Sequence, residues 1–442
     1  MAGLAYLDTM LNPMSVAVIG GGWAGLAAAV TLAEQQISVT LFESAAQLGG
    51  RARRVMLKGL ALDNGQHILI GAYSETQRVL KLVGINIDAV CYAPPLTLQV
   101  APGFKLEAAR LPAPWHLGAG LLRSQGLTLS EKLAAARFLL ALKRMRFNVD
   151  IYCTVSMLLA QQRQSTQLNK FLWHPLCLAA LNTPPENASA QIFVNVLRDA
   201  FFTTRDASRL LLPQIDLGAL FPDPATRYLK AHGARLNCNQ RIQSVDFHEG
   251  IFTLHHARGS EKFSHVIAAV APFHVAKLLR DIPAMQPTIE QLSNWDYQPI
   301  YTVYLQYEPT VHLPFPMMGL SQTLSQWVFD RALTHQAGLL AVVISAQGEH
   351  ETWGHEDLVQ RVQNELRQAL GISATPRWTQ VVAEKRATFS CLPNLFRPHN
   401  QTPLPTLYLA GDYTASDYPA TLEAAIRSGV NSAHLILNNL SR

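Results

Sequence analysis

The chain has 442 residues, 49 % hydrophobic and only 15 % charged, with a formal charge of +5 from 36 Lys and Arg against 31 Asp and Glu. Such a length passes the roughly 250–300 residues at which single cores stop growing, so two domains are expected. The modest positive charge argues against nucleic acid as a partner, and five scattered cysteines without a CxxC pair exclude a disulfide framework and fit a reducing, cytoplasmic setting.

Residues 1–13 end in Asn-Pro and read as a disordered extension, with Met14 a candidate domain start. From Thr9 to Ala33 no side chain is charged, which is long enough for a membrane span. However, the centre of that stretch is "GGGWAG", and glycine clusters weaken a helix interior. No basic segment precedes it, as a signal peptide would require. Neither a transmembrane helix nor a targeting signal is expected.

The run "SVAVIGGGWAGLAAAVTLAEQQISVTLFE" (15–43) predicts strand, tight turn, helix, strand. "VAVI" is continuously apolar, as a strand buried on both faces of a parallel sheet must be. Gly20, Gly22 and Gly25 fit GxGxxG: one for the tight turn, one for close approach of a pyrophosphate, one for packing helix on strand. The helix N-terminus offers unpaired N–H groups to phosphate. Glu43 closes the second strand, where a carboxylate accepts from a ribose diol and repels a 2′-phosphate. This spacing selects NAD or FAD over NADP. Trp23 puts a bulky side chain inside the turn.

Next comes "QLGGRARRV" (47–55), which contains the first Lys or Arg of the chain, Arg51. A loop here can return to the cofactor's phosphates. Gly49 and Gly50 permit close approach, and the planar fork of Arg51 can pair with phosphate.

Residues 115–147 carry six Lys or Arg against a single acid. Thr128 and Glu131 have capping-box spacing. Leu129, Leu133, Ala136 and Leu140 fall on one helical face, with Phe138, Leu142 and Met145 opposite. Two apolar sides suit a helix buried between layers. The basic flanks equally suit an interfacial helix on anionic lipid. Residues 298–309 and 337–347 read as strands, and 355–371 as a surface helix closed by Gly371. "HETWGH" (350–355) lacks the second histidine of HExxH, because Gly354 stands there, so no metal site is expected. No GxSxG points to a hydrolase. At the other end, 405–440 predicts a short buried strand ending in Gly411-Asp412, a loop, and a helix starting near Pro419. Its N-terminus could stabilise negative charge on a cofactor ring, and Asp412 could accept from a hydroxyl.

Taken together, "IGGGWAGLAAA", "LGGRARR", "LDNGQHILIG" (62–71), "GARLNCNQRIQSV" (233–245), "VIAAVAP" (266–272) and "GDYTASDYPATLEAAIRSG" (411–429) resemble the flavin-dependent amine oxidase and phytoene desaturase superfamily. Within it, "DNGQHILIG" and the proline-led "PATLEAAIRSG" are most similar to hydroxysqualene dehydroxylases. The resemblance implies FAD as cofactor. It implies an α/β fold in which a Rossmann-like FAD domain is assembled from 14–75, 215–275 and 400–442. A mixed α+β substrate domain would come from 76–214 and 276–399. It puts Gly20, Gly22, Ala24, Gly25, Gly50 and Arg51 at the phosphates, with Glu43 at the ribose. The Ile242 backbone would lie at the adenine. Gly65, Gln66 and His67 would lie beside the isoalloxazine, and Gly411, Asp412, Thr421 and Leu422 around ribityl and ring.

The same resemblance implies reduction of hydroxysqualene to squalene, with an acid to release the alcohol as water. Candidate acids are Asp63, His67, Asp417, Tyr418 and Glu423. Asp63 could equally cap a turn and Glu423 anchor a helix. Lys385 and Arg386 could face the flavin or pack on a loop carboxylate. The implied partners are a long-chain isoprenoid substrate, an anionic membrane surface and upstream squalene-pathway enzymes. Rival readings are amine oxidation, carotenoid-type desaturation, and a non-catalytic FAD-binding subunit.

Overall fold

The computed structural model describes residues 14–440; the expected extension at 1–13 lies outside them. A five-stranded parallel sheet runs in the order 235–237, 38–42, 15–19, 265–268, 407–409. Its strands therefore come from three separated parts of the chain. The helix Trp23–Glu34 is buried at every residue from Trp23 to Ala33. Its sequence explains this: being apolar on all sides, it must be covered on all sides. The parallel sheet covers one side, and the C-terminal helix Leu422–Leu440 crosses the other. At that crossing a Cβ on Gly429 would sit 2.0 Å from Ala24 O, so the two backbones meet directly. The long uncharged stretch is thus a sandwiched helix.

The second large sheet has seven strands in the order 378–389, 297–306, 339–345, 327–330, 317–320, 97–101, 104–107. The strands expected at 298–309 and 337–347 form as Tyr297–Gln306 and Leu339–Ser345, paired antiparallel. The expected surface helix is His355–Leu370, closed by Gly371 in the left-handed region at φ 70°. A hairpin, Arg54–Leu57 with Leu60–Asp63, follows the glycine-rich loop and packs Leu62 against Tyr304, Leu339 and Ala341 of this sheet.

Segment 115–147 forms two helices, Trp115–Arg123 and Leu129–Arg144. Thr128 and Glu131 make both bonds of the capping box. Ala135, Phe138 and Leu142 face inward, while Leu129, Leu133 and Leu140 are exposed at 66 %, 43 % and 53 %. The helix therefore lies at the surface, with one apolar face uncovered. Among the described residues no helix is long and apolar enough to cross a membrane.

Candidate active site

Two loops meet at the end of the parallel sheet. Gly20 lies at φ 109°, and a Cβ there would strike Ala269 O at 2.3 Å. A Cβ on Gly25 would be 1.9 Å from Gly20 O. Both glycines are therefore demanded by the fold itself. Gly22 is different: a Cβ there would meet nothing nearer than Gly50 Cα at 3.8 Å. No protein atom requires glycine at Gly22, but a phosphate approaching the backbone would. Trp23 does not fill the turn. Its indole donates to Ala52 O at 2.9 Å and packs on Phe221 at 5.0 Å. Gly22 caps the helix without a side-chain bond, so the first-turn amides stay available to an anion. The loop 47–51 returns to this place, with Gly49 N–H donating to Gly21 O at 2.8 Å.

Glu43 is held at the rim of the turn, its two oxygens accepting from Gly21 N–H at 2.8 Å and Ala45 N–H at 2.7 Å. A carboxylate has about four lone-pair sites, so acceptor capacity for a ribose diol remains. Gln240 N–H donates to Glu43 O and brings Ile242, the first residue of its strand, to the same edge. These features fit the adenosine and pyrophosphate parts of FAD.

Arg51 reaches the opposite end of the chain. Its Nη2 donates to Asp412 Oδ1 at 2.7 Å, and its Nη1 donates to Ala387 O. Arg54 points elsewhere, pairing with Asp216 and Asp223. Gly411 and Asp412 follow the last parallel strand. The helix after them begins at Leu422, three residues later than expected from Pro419. Thr421 decides the start, because its hydroxyl accepts from Ala424 N–H at 3.2 Å. The intervening loop is organised by Arg397, which the sequence did not single out. Its guanidinium donates to the carbonyls of Asp412, Tyr413, Ser416 and Tyr418.

Gly65, at φ 95°, turns the chain so that Gln66 and His67 face the interior. Buried Thr302 Oγ1 has no protein partner and lies 4.0 Å from where a Cβ on Gly65 would be. His67 Nδ1 is 3.2 Å from Gly65 O. Burial lowers the imidazole's pKa from its ordinary value, and the Arg51 guanidinium adds to that effect.

The other proposed acids sit differently. Asp63 accepts from Leu217 N–H at 2.8 Å and from buried Arg331 at 2.7 Å. Glu423 accepts from the backbone of Glu75 and Thr76, the Thr76 hydroxyl and Arg427. Carboxylates so surrounded by donors act as anchors, and the capping and anchoring roles fit both. Tyr418 lies under Arg427, 4.9 Å from its guanidinium, and burial raises its phenol's pKa well above the ordinary value. Asp417 is exposed and near Arg198. Lys385 is exposed without a hydrogen bond or ion pair among the described residues. Arg386 stacks over Phe273 at 4.7 Å instead of packing on a loop carboxylate.

A cavity of about 350 Å³ runs beside Gln66. Its wall is almost wholly apolar, including Leu98, Leu121, Ala135, Trp173 and Met317. Trp115 and Leu140 also line it and are 70 % and 53 % exposed, so it opens between the two surface helices. Such a shape suits a long hydrocarbon.

A glycine turn with its acidic rim, a returning arginine loop and a closing C-terminal helix define a dinucleotide-binding flavoenzyme. The chain belongs to the flavin containing amine oxidoreductase family, whose model matches residues 23–437, and is an FAD-dependent oxidoreductase. It is 30 % identical to a hydroxysqualene dehydroxylase of Rhodopseudomonas palustris, over 96 % of this chain and 98 % of that one. It is 29 % identical to the hydroxysqualene dehydroxylase of Zymomonas mobilis, over 96 % and 99 %. Its fold is similar to that of cyclohexylamine oxidase from Brevibacterium oxydans, with TM-score 0.72 and 16 % identity over 98 % of this chain and all of that one.

Proposed function

We propose that the protein reduces hydroxysqualene to squalene, with loss of water, at the inner face of the cytoplasmic membrane. The observation that carries this reading is the apolar cavity, open at the surface and bordered by Gln66. An allylic alcohol leaves only after its oxygen is protonated, and the resulting cation survives only where water is excluded. The apolar wall supplies that exclusion. FAD, when bound in its reduced form, supplies the hydride. The balance is one alcohol and one reduced flavin giving one hydrocarbon, one water and one oxidised flavin.

His67 is the proton donor in this scheme. It neighbours Gln66, which lines the cavity, and unlike Asp63 and Glu423 it is not enclosed by donors. Gly22, the first-turn amides, Glu43, Arg51, Asp412 and the Thr421–Leu422 helix start would hold the cofactor. The exposed face of Leu129–Arg144, with Lys143, Arg144 and Arg146 at its end, would rest on anionic lipid beside the cavity mouth. Upstream enzymes making the alcohol would deliver it through that surface.

Anaerobic mixing of photoreduced protein with hydroxysqualene tests this. Flavin absorbance should return to the oxidised form as squalene accumulates. The same apolar cavity favours desaturation as the second reading. In that case the oxidised protein would bleach with a saturated isoprenoid segment, and the reduced protein would leave hydroxysqualene unchanged.

A further inference from the structure

Behind Gln66 lies a second, smaller cavity of about 30 Å³, lined by Asp63, Gln66, His67, Asp330, Arg331 and Thr334 among others. Gln66, Ile68 and Phe329 line both spaces and form the partition between them. The small space has a mixed wall, with Ile68, Leu212, Ile215 and Leu333 beside its polar groups, where the large one is almost wholly apolar. It has room for one or two water-sized oxygens, given that roughly 10–15 Å³ on this measure suffices for one.

Arg331 sets its chemistry. The residue is 5 % exposed, and its Nε donates to Gln336 at 3.0 Å. Its Nη1 donates to Asp63 at 2.7 Å and to Gln66 Oε1 at 3.0 Å. Its Nη2 is buried without a protein partner. Leaving a charged donor unmatched is costly, so a group at this position should be an oxygen acceptor. Gln66 is fixed from the other side, its amide nitrogen donating to Tyr304 Oη at 2.8 Å, and Tyr304 in turn donating to Asp63 O at 2.7 Å. An amide carries two N–H donors, so the second has no protein partner. Gln66, which lines both spaces, and Arg331, which lines the small one, thus each keep a donor without a protein partner.

We propose that Arg331 and Gln66 form an oxygen-accepting site at the wall shared by the two cavities, which takes the hydroxyl of an isoprenoid alcohol and then the water it becomes. The site rests on the dehydroxylation reading for its role, but not for its binding chemistry. Protonation takes one of the hydroxyl's two lone pairs, so one of the two donors gives way to the proton from His67. With the C–O bond broken, the oxygen leaves as water, accepts from both donors again and moves into the small chamber, away from the carbon that receives hydride. Arg331 acts by positioning that oxygen; it transfers no proton.

The test compares affinity for farnesol with that for the matched hydrocarbon lacking the hydroxyl, read by quenching of tunnel tryptophans in the FAD-loaded protein. The parent should prefer the alcohol. Arg331→Lys keeps a cation beside Asp63 but removes Nη2, and Gln66→Leu removes the partition donor while retaining both Arg331 and Asp63. Each should lower the preference for alcohol over hydrocarbon roughly tenfold or more, as expected for a charge-assisted bond. No preference in the parent, or an undiminished preference in both variants, overturns the site. If either variant loses the preference while the parent fails to convert hydroxysqualene, the oxygen site stands and the dehydroxylation reading falls.

Discussion

Arg51 Nη2 and Asp412 Oδ1 lie 2.7 Å apart although 361 residues separate them in the chain. The same guanidinium bonds Ala387 O in the seven-stranded sheet. One side chain thus joins the glycine-rich loop, the C-terminal cofactor segment and the second sheet. If a bidentate fork is needed to serve phosphate and Asp412 together, lysine cannot replace it. A charge-assisted hydrogen bond is worth about 1.5–3 kcal/mol, so Arg51→Lys should weaken FAD binding roughly tenfold to a hundredfold. Arg54→Lys, which alters only the Asp216 and Asp223 pairs, should keep its flavin on gel filtration. Equal retention by both variants would remove Arg51 from the cofactor site.

The two inner glycines should separate folding from binding. Gly25→Ala places a Cβ 1.9 Å from Gly20 O, an overlap that costs about 1–3 kcal/mol or more through backbone displacement. Gly22→Ala meets only Gly50 Cα at 3.8 Å and should leave the apoprotein's thermal midpoint nearly unchanged while reducing FAD affinity. A large fall in apoprotein stability for Gly22→Ala would mean the position serves the fold and not a ligand.

The pH dependence of turnover follows from His67. Its pKa is lowered below 6.5 by burial, so the protonated donor is scarce at neutral pH and grows as pH falls through that lowered value. Single-turnover oxidation of pre-reduced protein by the alcohol should therefore accelerate on acidification. His67→Gln should abolish this limb and cost about a hundredfold or more in rate, the usual contribution of a general acid. An unchanged acid limb in His67→Gln would hand the role to another group.

What the sequence made legible was local. The turn at Gly20–Gly25, its rim at Glu43 and the capping box at Thr128 each lie within one short stretch, where spacing alone fixes geometry. The two apolar faces of 129–144 were equally readable, but not which of them would be uncovered, because that depends on what packs against the helix. The network of Asp63, Gln66, Tyr304 and Arg331 was not, because its members come from three distant stretches and no spacing relates them. Arg397 left no trace either: it binds four backbone carbonyls, and carbonyls have no sequence signature. The helix start at Leu422 moved for a similar reason, since a proline permits a helix start but the threonine hydroxyl fixes it.

The uncovered helix face gives the last expectation. Leu129, Leu133 and Leu140 are exposed together with Trp115 and Leu122, and the cavity opens between Trp115 and Leu140. An apolar substrate leaving a bilayer would meet this mouth without crossing water. Lys143, Arg144 and Arg146 are exposed at the end of the same helix. Each basic residue near an anionic surface contributes about 1 kcal/mol, screened beyond a Debye length. Changing all three to Gln should release the protein from phosphatidylserine-containing vesicles and slow turnover of vesicle-held substrate. The flavin spectrum and turnover of detergent-dispersed substrate should stay close to those of the parent. Leu129→Ser with Leu133→Ser should weaken binding at high salt as well, since that part is apolar and unscreened. If the parent does not bind the vesicles, or if both variants bind as the parent does at low and high salt, the exposed face has another purpose and the substrate must arrive by a carrier.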